Sequence, residues 1–253
     1  MHVENCFLGA EGIGETIEQR LWEQGVTHWS TFDPDCRGIG STRARRIESF
    51  IEGGERALEA EDVEYFGERF PSSARWRLYE TFRDHACFFD IETTGLSQYA
   101  DVVTTVTLHQ DGDTRTLVRG DDLTDGNLRA AFADAGLLVT FNGASFDIPF
   151  LESNFDVSLD QPHIDLMPTC RKLGLSGGLS AVEDRFGIER DLPDVDGREA
   201  VRLWHEHERG VDGALERLVE YNREDTENMV PVLERAVSAL DETVFPAETD
   251  VMG

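Results

Sequence analysis

Three short segments carry residue types that chemistry can use. Asp90-Ile91-Glu92-Thr93-Thr94-Gly95-Leu96 follows Ala86-Cys87-Phe88-Phe89, an apolar run suited to a buried strand. Residues two apart on a strand face the same side, so the carboxylates of Asp90 and Glu92 project together. Two neighbouring carboxylates at the exit of a buried strand are costly unless a cation holds them. Phe141-Asn142-Gly143-Ala144-Ser145-Phe146-Asp147 puts a third acid after a second apolar run and at the start of a helix. Tyr221-Asn222-Arg223-Glu224-Asp225 reads as helix, where Tyr221 and Asp225, four apart, share a face. Oxygen donors in this number suit Mg²⁺ or Mn²⁺ rather than zinc.

The elements that must position these groups change character near residues 70–85, with short helical patterns before and strands alternating with helices after. Strands are expected at 86–91, at 102–108 and 114–118 around an Asp111-Gly112 turn, at 137–141 and near 163–165. Helices are expected at 123–135, 148–155, 166–174, 179–186, 197–209 and 212–240. This order predicts an α/β fold with a mixed sheet flanked by helices. Asp165 is expected either beside the metals or capping the helix that begins at Leu166. His205-Glu206-His207 does not put its histidines on one helix face, and Asp194-Val195-Asp196-Gly197 lacks the later ligands of a calcium loop, so both read as surface features.

Asp-x-Glu-Thr-Thr-Gly-Leu, Asn-x-x-x-Phe-Asp-x-x-Phe-Leu and Tyr-x-x-x-Asp, in that order over residues 85–240, resemble the DnaQ-like exonucleases of the tyrosine branch, with a ribonuclease-H-like fold. His163-Ile164-Asp165-Leu166 is similar to the YprB-type proteins within that group. The resemblance implies metal-dependent 3′–5′ hydrolysis of phosphodiesters with release of mononucleotides, DNA favoured over RNA. In a two-metal mechanism Asp90 is expected to bridge two Mg²⁺ or Mn²⁺ ions, Glu92 and Asp225 to complete the first site and Asp147 to hold the second. Tyr221 orients or deprotonates the attacking water, while Leu96 and Phe146 wedge against the terminal base and Asn142 contacts the strand. A catalytically silent binding protein and a structure-specific endonuclease are the competing readings, distinguished by their products.

The N-terminal part supplies a second kind of evidence. Gly12-Ile13-Gly14 precedes a helical run ending at Gly25, and Gly38-Ile39-Gly40 precedes a helix over 41–52. Both resemble the turn of helix-hairpin-helix units, which offers backbone N–H groups to a phosphate. Arg37, Arg43, Arg45 and Arg46 surround the second turn with no acid from Arg37 to Ile47. Gly38, Gly40, Arg43, Arg45 and Arg46 are therefore expected to contact nucleic acid. The domains expected are a helix-hairpin-helix-like module over 1–72 and a ribonuclease-H-like exonuclease domain over 84–242.

The 253 residues hold 40% hydrophobic side chains, enough for a core, and no apolar run approaches the ~20 residues of a membrane span. With no signal-peptide layout at the N-terminus, a cytoplasmic protein is expected. Cys6, Cys36, Cys87 and Cys170 lie far apart and are expected to be free thiols. Acids outnumber bases 51 to 23, the net charge is -28, and Lys172 is the only lysine. Acids spread over the whole chain with lysine removed look like the adaptation of extreme halophiles, since at molar salt a Debye length of about 3 Å mutes their repulsion. The fold is therefore expected to hold in molar KCl and to unfold when salt is withdrawn, as followed by circular dichroism. Full stability in salt-free buffer contradicts this reading.

Overall fold

Glycines punctuate the first 83 residues, and helices fill the intervals. The computed structural model describes residues 1–245 and divides the chain into two units, Met1–Arg83 with the residues from Val237 on, and Asp84–Ala236. The first unit carries α1 (Glu15–Trp22), α2 (Ser41–Glu59), α3 (Val63–Arg69) and α4 (Tyr79–Phe82) around a core that includes Phe7, Trp29, Phe50 and Phe66. Gly14 and Gly40 stand at the N-termini of α1 and α2, each two residues after a glycine of positive φ, Gly12 and Gly38. Helix α2 runs past the expected end at Glu52 and through Gly53-Gly54. These glycines do not break the helix because their bare Cα atoms make room for other rings. A Cβ on Gly53 would lie 2.2 Å from the Tyr65 hydroxyl, and one on Gly54 2.5 Å from the Trp29 ring.

In the second unit, an apolar run produces β1 (Ala86–Thr93), and β-branched residues produce β2 (Val103–Gln110) and β3 (Asp113–Val118). Asp111 and Gly112 join β2 to β3 with φ of 52° and 77°, the left-handed pair that a tight hairpin needs. Helix α5 (Asp125–Ala131) precedes β4 (Leu137–Thr140), and α6 (Asp147–Asn154) precedes β5 (His163–Asp165). The remainder is α7 (Leu166–Arg171), α8 (Leu179–Phe186), α9 (Gly197–Glu208) and α10 (Ala214–Val244). Helix α5 is shorter than the expected 123–135, because the Thr124 side chain caps its start and the backbone leaves the α conformation soon after Phe132. The sheet order is β3-β2-β1-β4-β5, with β2 antiparallel to β1 and β3, and β4 parallel to β1 and β5. This is an α/β mixed sheet flanked by helices, as the sequence predicts and consistent with a ribonuclease-H-like fold.

The two faces of the sheet part company chemically. Cys87, Phe89, Ile91, Val106 and Leu108 point into a core with Leu128, Phe132, Phe150 and Leu151. Each such buried side chain contributes about 1.5–3 kcal/mol. The alternate residues Asp90 and Glu92 lie opposite Thr107 and Thr105 in the register and face the other way. The register shifts at Glu92/Thr93, so the strand bends where its acids leave the ladder. The cysteines are free, and among the described residues no helix is long and apolar enough to cross a membrane.

The turn from β4 to α6 is the tightest part of this scaffold. Asn142 holds φ at 70°, a conformation asparagine tolerates, and Gly143 donates to the Thr140 hydroxyl at 3.0 Å. A Cβ on Gly143 would lie 2.1 Å from the Thr140 oxygen, which is buried and shared with His163 at 2.8 Å. Gly143→Ala is expected to cost about 1–3 kcal/mol in denaturant unfolding, the range for overpacked sites. An unchanged midpoint refutes the tight-turn account.

Candidate active site

Strand β1 and helix α10 bring three acids together. Carboxylate oxygens of Asp90, Glu92 and Asp225 lie within 4.8 Å of one another, and among the described residues no other group of three or more His, Cys, Asp or Glu side chains does so. Asp147, 3% exposed at the start of α6, accepts a hydrogen bond from the Ile91 amide of β1 at 3.3 Å, so the fourth acid reaches the same strand. The Tyr221 hydroxyl bonds Asp225, its helical neighbour four residues on.

The acids are held by partners that sequence reasoning passed over. Asn222, fully buried, donates from Nδ2 to Asp90 Oδ2 at 2.7 Å. Its Oδ1 accepts from Thr105 at 2.9 Å and Thr107 at 2.7 Å, while Thr107 meets Thr116 of β3 at 2.8 Å. This chain fixes the amide's orientation and lets it donate only toward Asp90. Arg190, after α8, donates to Asp225 Oδ1 and to Glu183 Oε2, the latter at 2.7 Å, and its guanidinium lies 5.6 Å from the Tyr221 ring centre. Glu224 accepts from the backbone amides of Asp191 and Leu192 and so holds the Arg190 segment against α10. Asn222 is visible in the motif, but Arg190 has no local signal.

Asp165 caps the helix after β5 through Met167 N at 3.1 Å, and also accepts from the amides of Asn142 at 2.8 Å and Ala144 at 3.3 Å. It thereby holds the turn that delivers Asp147. Asp196 caps α9 through Arg198 and Glu199. His205 pairs with Glu208, and the His207 ring packs beside Trp204. Leu96 stands 87% exposed on the β1–β2 connection, and Phe146 is half-buried against Phe150 with ring centres 4.8 Å apart. Both line a cleft of about 540 Å³ beside Glu92, closed by Val201 and Arg198 of α9. Gly38, Gly40, Arg43 and Arg45 are exposed in the first unit, and Arg46 pairs with Glu11 at 2.9 Å.

Electrostatics follows from this crowding. Burial, then the charges of Asp147 and Asp225, raises the Asp90 carboxyl well above its ordinary value, and burial followed by Asp225 and Asp147 does the same to Glu92. Burial raises Asp225 as well, opposed by Arg190, and burial with the nearby acids raises the Tyr221 hydroxyl. Burial pushes Asp147 from 3.8 up to about 7, against the pull of its backbone donors. Between these values the native metal-free protein binds more protons than the unfolded chain, so this group's contribution to stability falls as pH rises from about 4 to about 7 and is then flat. Asp147→Asn should remove that penalty and stabilise the metal-free protein at neutral pH by up to about 4 kcal/mol. Equal or lower stability of the variant across that pH range contradicts the buried-charge account.

Comparison with known proteins places this arrangement. The RNase_H superfamily profile matches residues 87–237. No curated protein matches the sequence. Solved structures similar to it include the family B DNA polymerase from the hyperthermophilic archaeon Pyrobaculum calidifontis, at 16% identity and a TM-score of 0.45, covering 60% of this chain and 27% of that one. A nuclease in its apo form shares 20% identity over 66% of this chain and 89% of its own, with a TM-score of 0.37. Brucella melitensis NrnC shares 16% over 69% and 93%, with a TM-score of 0.35. The chain thus spans about a quarter of the length of the polymerase. Because the matched profile takes in more than half of the chain, and all of the sheet but the first residue of β1, the chain belongs to the RNase_H superfamily.

Proposed function

We propose that the chain is a metal-dependent 3′–5′ exonuclease that releases mononucleotides from nucleic-acid 3′ ends, DNA before RNA. The observation that carries this reading is the convergence of Asp90, Glu92 and Asp225 within 4.8 Å, with Asp147 of α6 bonded to the Ile91 amide between the two strand acids and the Tyr221 hydroxyl on Asp225. The donor set fits divalent cations: carboxylate oxygens suit Mg²⁺ or Mn²⁺, and the upward shifts of these acids mark charge that wants a counterion. Asp90, Glu92 and Asp225 would hold one ion, and Asp90 with Asp147 a second. Bound there, the ions supply a water of lowered pKa and positive charge for the scissile phosphodiester.

The chain's own groups do the rest. Tyr221 orients the attacking water from its place on Asp225, and Arg190 fixes that carboxylate by taking its Oδ1. Asn222 keeps Asp90 turned outward from the sheet. The terminal nucleoside fits the cleft of about 540 Å³, a volume within the usual range for small ligands, where Leu96 and Phe146 meet the base without reading its edge. In the first unit, the amides at the start of α2 lack a side-chain cap because Gly40 offers none, and with Gly38, Arg43, Arg45 and Arg46 they engage backbone phosphates. Cytoplasmic location and adaptation to high salt belong to the same reading.

Digestion of 5′-labelled single-stranded DNA, duplex DNA and RNA in molar KCl with Mg²⁺ or Mn²⁺ tests it. A ladder shortening by single nucleotides, absent with Asp90→Ala, is expected. Leu96→Ala should raise KM about tenfold, the worth of one weakened base stack. Oligonucleotide products instead indicate an endonuclease, and binding without cleavage indicates a silent binding protein.

A further inference from the structure

We propose that the cleft between α2 and α3 in the first unit is a groove for the phosphodiester backbone of a nucleic-acid strand. The proposal rests on the reading that this chain acts on nucleic acid; it shares Arg46 with the glycine-turn motif and adds Arg56, Tyr65 and Arg69, which no motif reveals. The cleft has a volume of about 670 Å³. Arg46, Ser49, Gly53 and Arg56 line it from one stripe of α2, and Tyr65 and Arg69 line it from α3.

Several features make this a built surface rather than a gap. Gly53 leaves the floor bare, since a Cβ there would lie 2.2 Å from the Tyr65 hydroxyl, which itself donates to the Phe50 carbonyl at 3.2 Å. The Arg69 guanidinium lies over the Tyr65 ring, 3.7 Å from its centre, donates to the Tyr65 carbonyl at 2.9 Å and pairs with Glu68 at 3.5 Å, so its charge is fixed at the wall. Arg46 is steered by Glu11 at one end. Arg56 is exposed and makes no ion pair among the described residues, although acids outnumber bases 51 to 23. Three guanidiniums against Glu11 and Glu68 give the lining a positive balance in a chain of net charge -28.

The spacing selects the occupant. Ten residues separate Arg46 from Arg56, about 15 Å along a helix, a span too long for one phosphate to bridge. A single phosphate would call for the arginines at one point, whereas a row of them fits a chain of phosphates. Donors that all face phosphate oxygens carry no sequence preference.

Anisotropy of a fluorescein-labelled oligothymidylate, titrated at several KCl concentrations in the Asp90→Asn background, tests the groove. Arg56→Ala is expected to weaken binding and to lower the slope of log affinity against log salt by about 0.7, with Arg46→Ala/Arg56→Ala lowering it about twice as much. Arg56→Lys should restore most of the slope, which a merely structural role does not predict, and circular dichroism checks the fold of each variant. Unchanged affinity and slope in both alanine variants overturn the proposal, as does displacement of the oligothymidylate by equimolar thymidine monophosphate. Hydrolysis of the p-nitrophenyl ester of thymidine 5′-monophosphate, otherwise wild-type in Arg56→Ala, reads the acids alone. Absence of that hydrolysis together with a reduced slope sinks the exonuclease reading while supporting the groove.

Discussion

Mutual repulsion among carboxylates in a half-dry space is the constraint on which the rest of the second unit depends. Carboxylate oxygens of Asp90, Glu92 and Asp225 lie within 4.8 Å of one another, and Asp147 accepts from the amide of Ile91, which stands between Asp90 and Glu92. Isolated in protein, such charges would neutralise themselves or drift apart. Here each is tied to a rigid element. Two are on the central strand, one begins a helix and one is on a long helix whose register also supplies Tyr221 and Asn222. The arrangement is electrostatically expensive without cations, and that expense is the physical reason to read it as a cation site rather than a structural one.

The supports explain the shape of the surrounding fold. Threonines of β2 and β3 form a relay that ends on the Asn222 amide, so the polar face of the sheet is spent on aiming one carboxylate. Arg190 is flanked by Glu183, Glu224 and Asp225, and a guanidinium with three acidic neighbours holds its position without cancelling the site's negative charge. Asp165 does for the β4–α6 turn what Asn222 does for β1, by accepting the amides of Asn142 and Ala144. Helix α9 packs on α10 through Ala200, Leu203 and Trp204 against Leu218 and Tyr221, which ties the cleft wall to the tyrosine.

Much of this was legible in the sequence where a pattern is local. Short apolar runs located β1 and β4, alternation around Asp111-Gly112 located the β2–β3 hairpin, and the i, i+4 spacing put Tyr221 and Asp225 on one face. What escaped depends on tertiary approach. The Asn222 partners lie 115 and 117 residues away in the chain, so nothing near Asn222 announces its role. Gly53-Gly54 reads as a helix end and is a close approach of Tyr65 and Trp29. Asp165 left two readings open; it forms the cap, and its contacts with the β4–α6 turn also set its charge near Asp147, a geometry that only the fold creates.

The most direct test of the central claim is a calorimetric titration of the metal-free protein with Mn²⁺ in molar KCl, in two buffers of different ionisation enthalpy. The account predicts saturable binding of two ions per chain with release of protons, because carboxyls that burial and mutual repulsion keep protonated must ionise to become ligands. It also predicts that Asp90→Ala abolishes the binding. No saturable binding, or binding of equal strength and stoichiometry in Asp90→Ala, would contradict it.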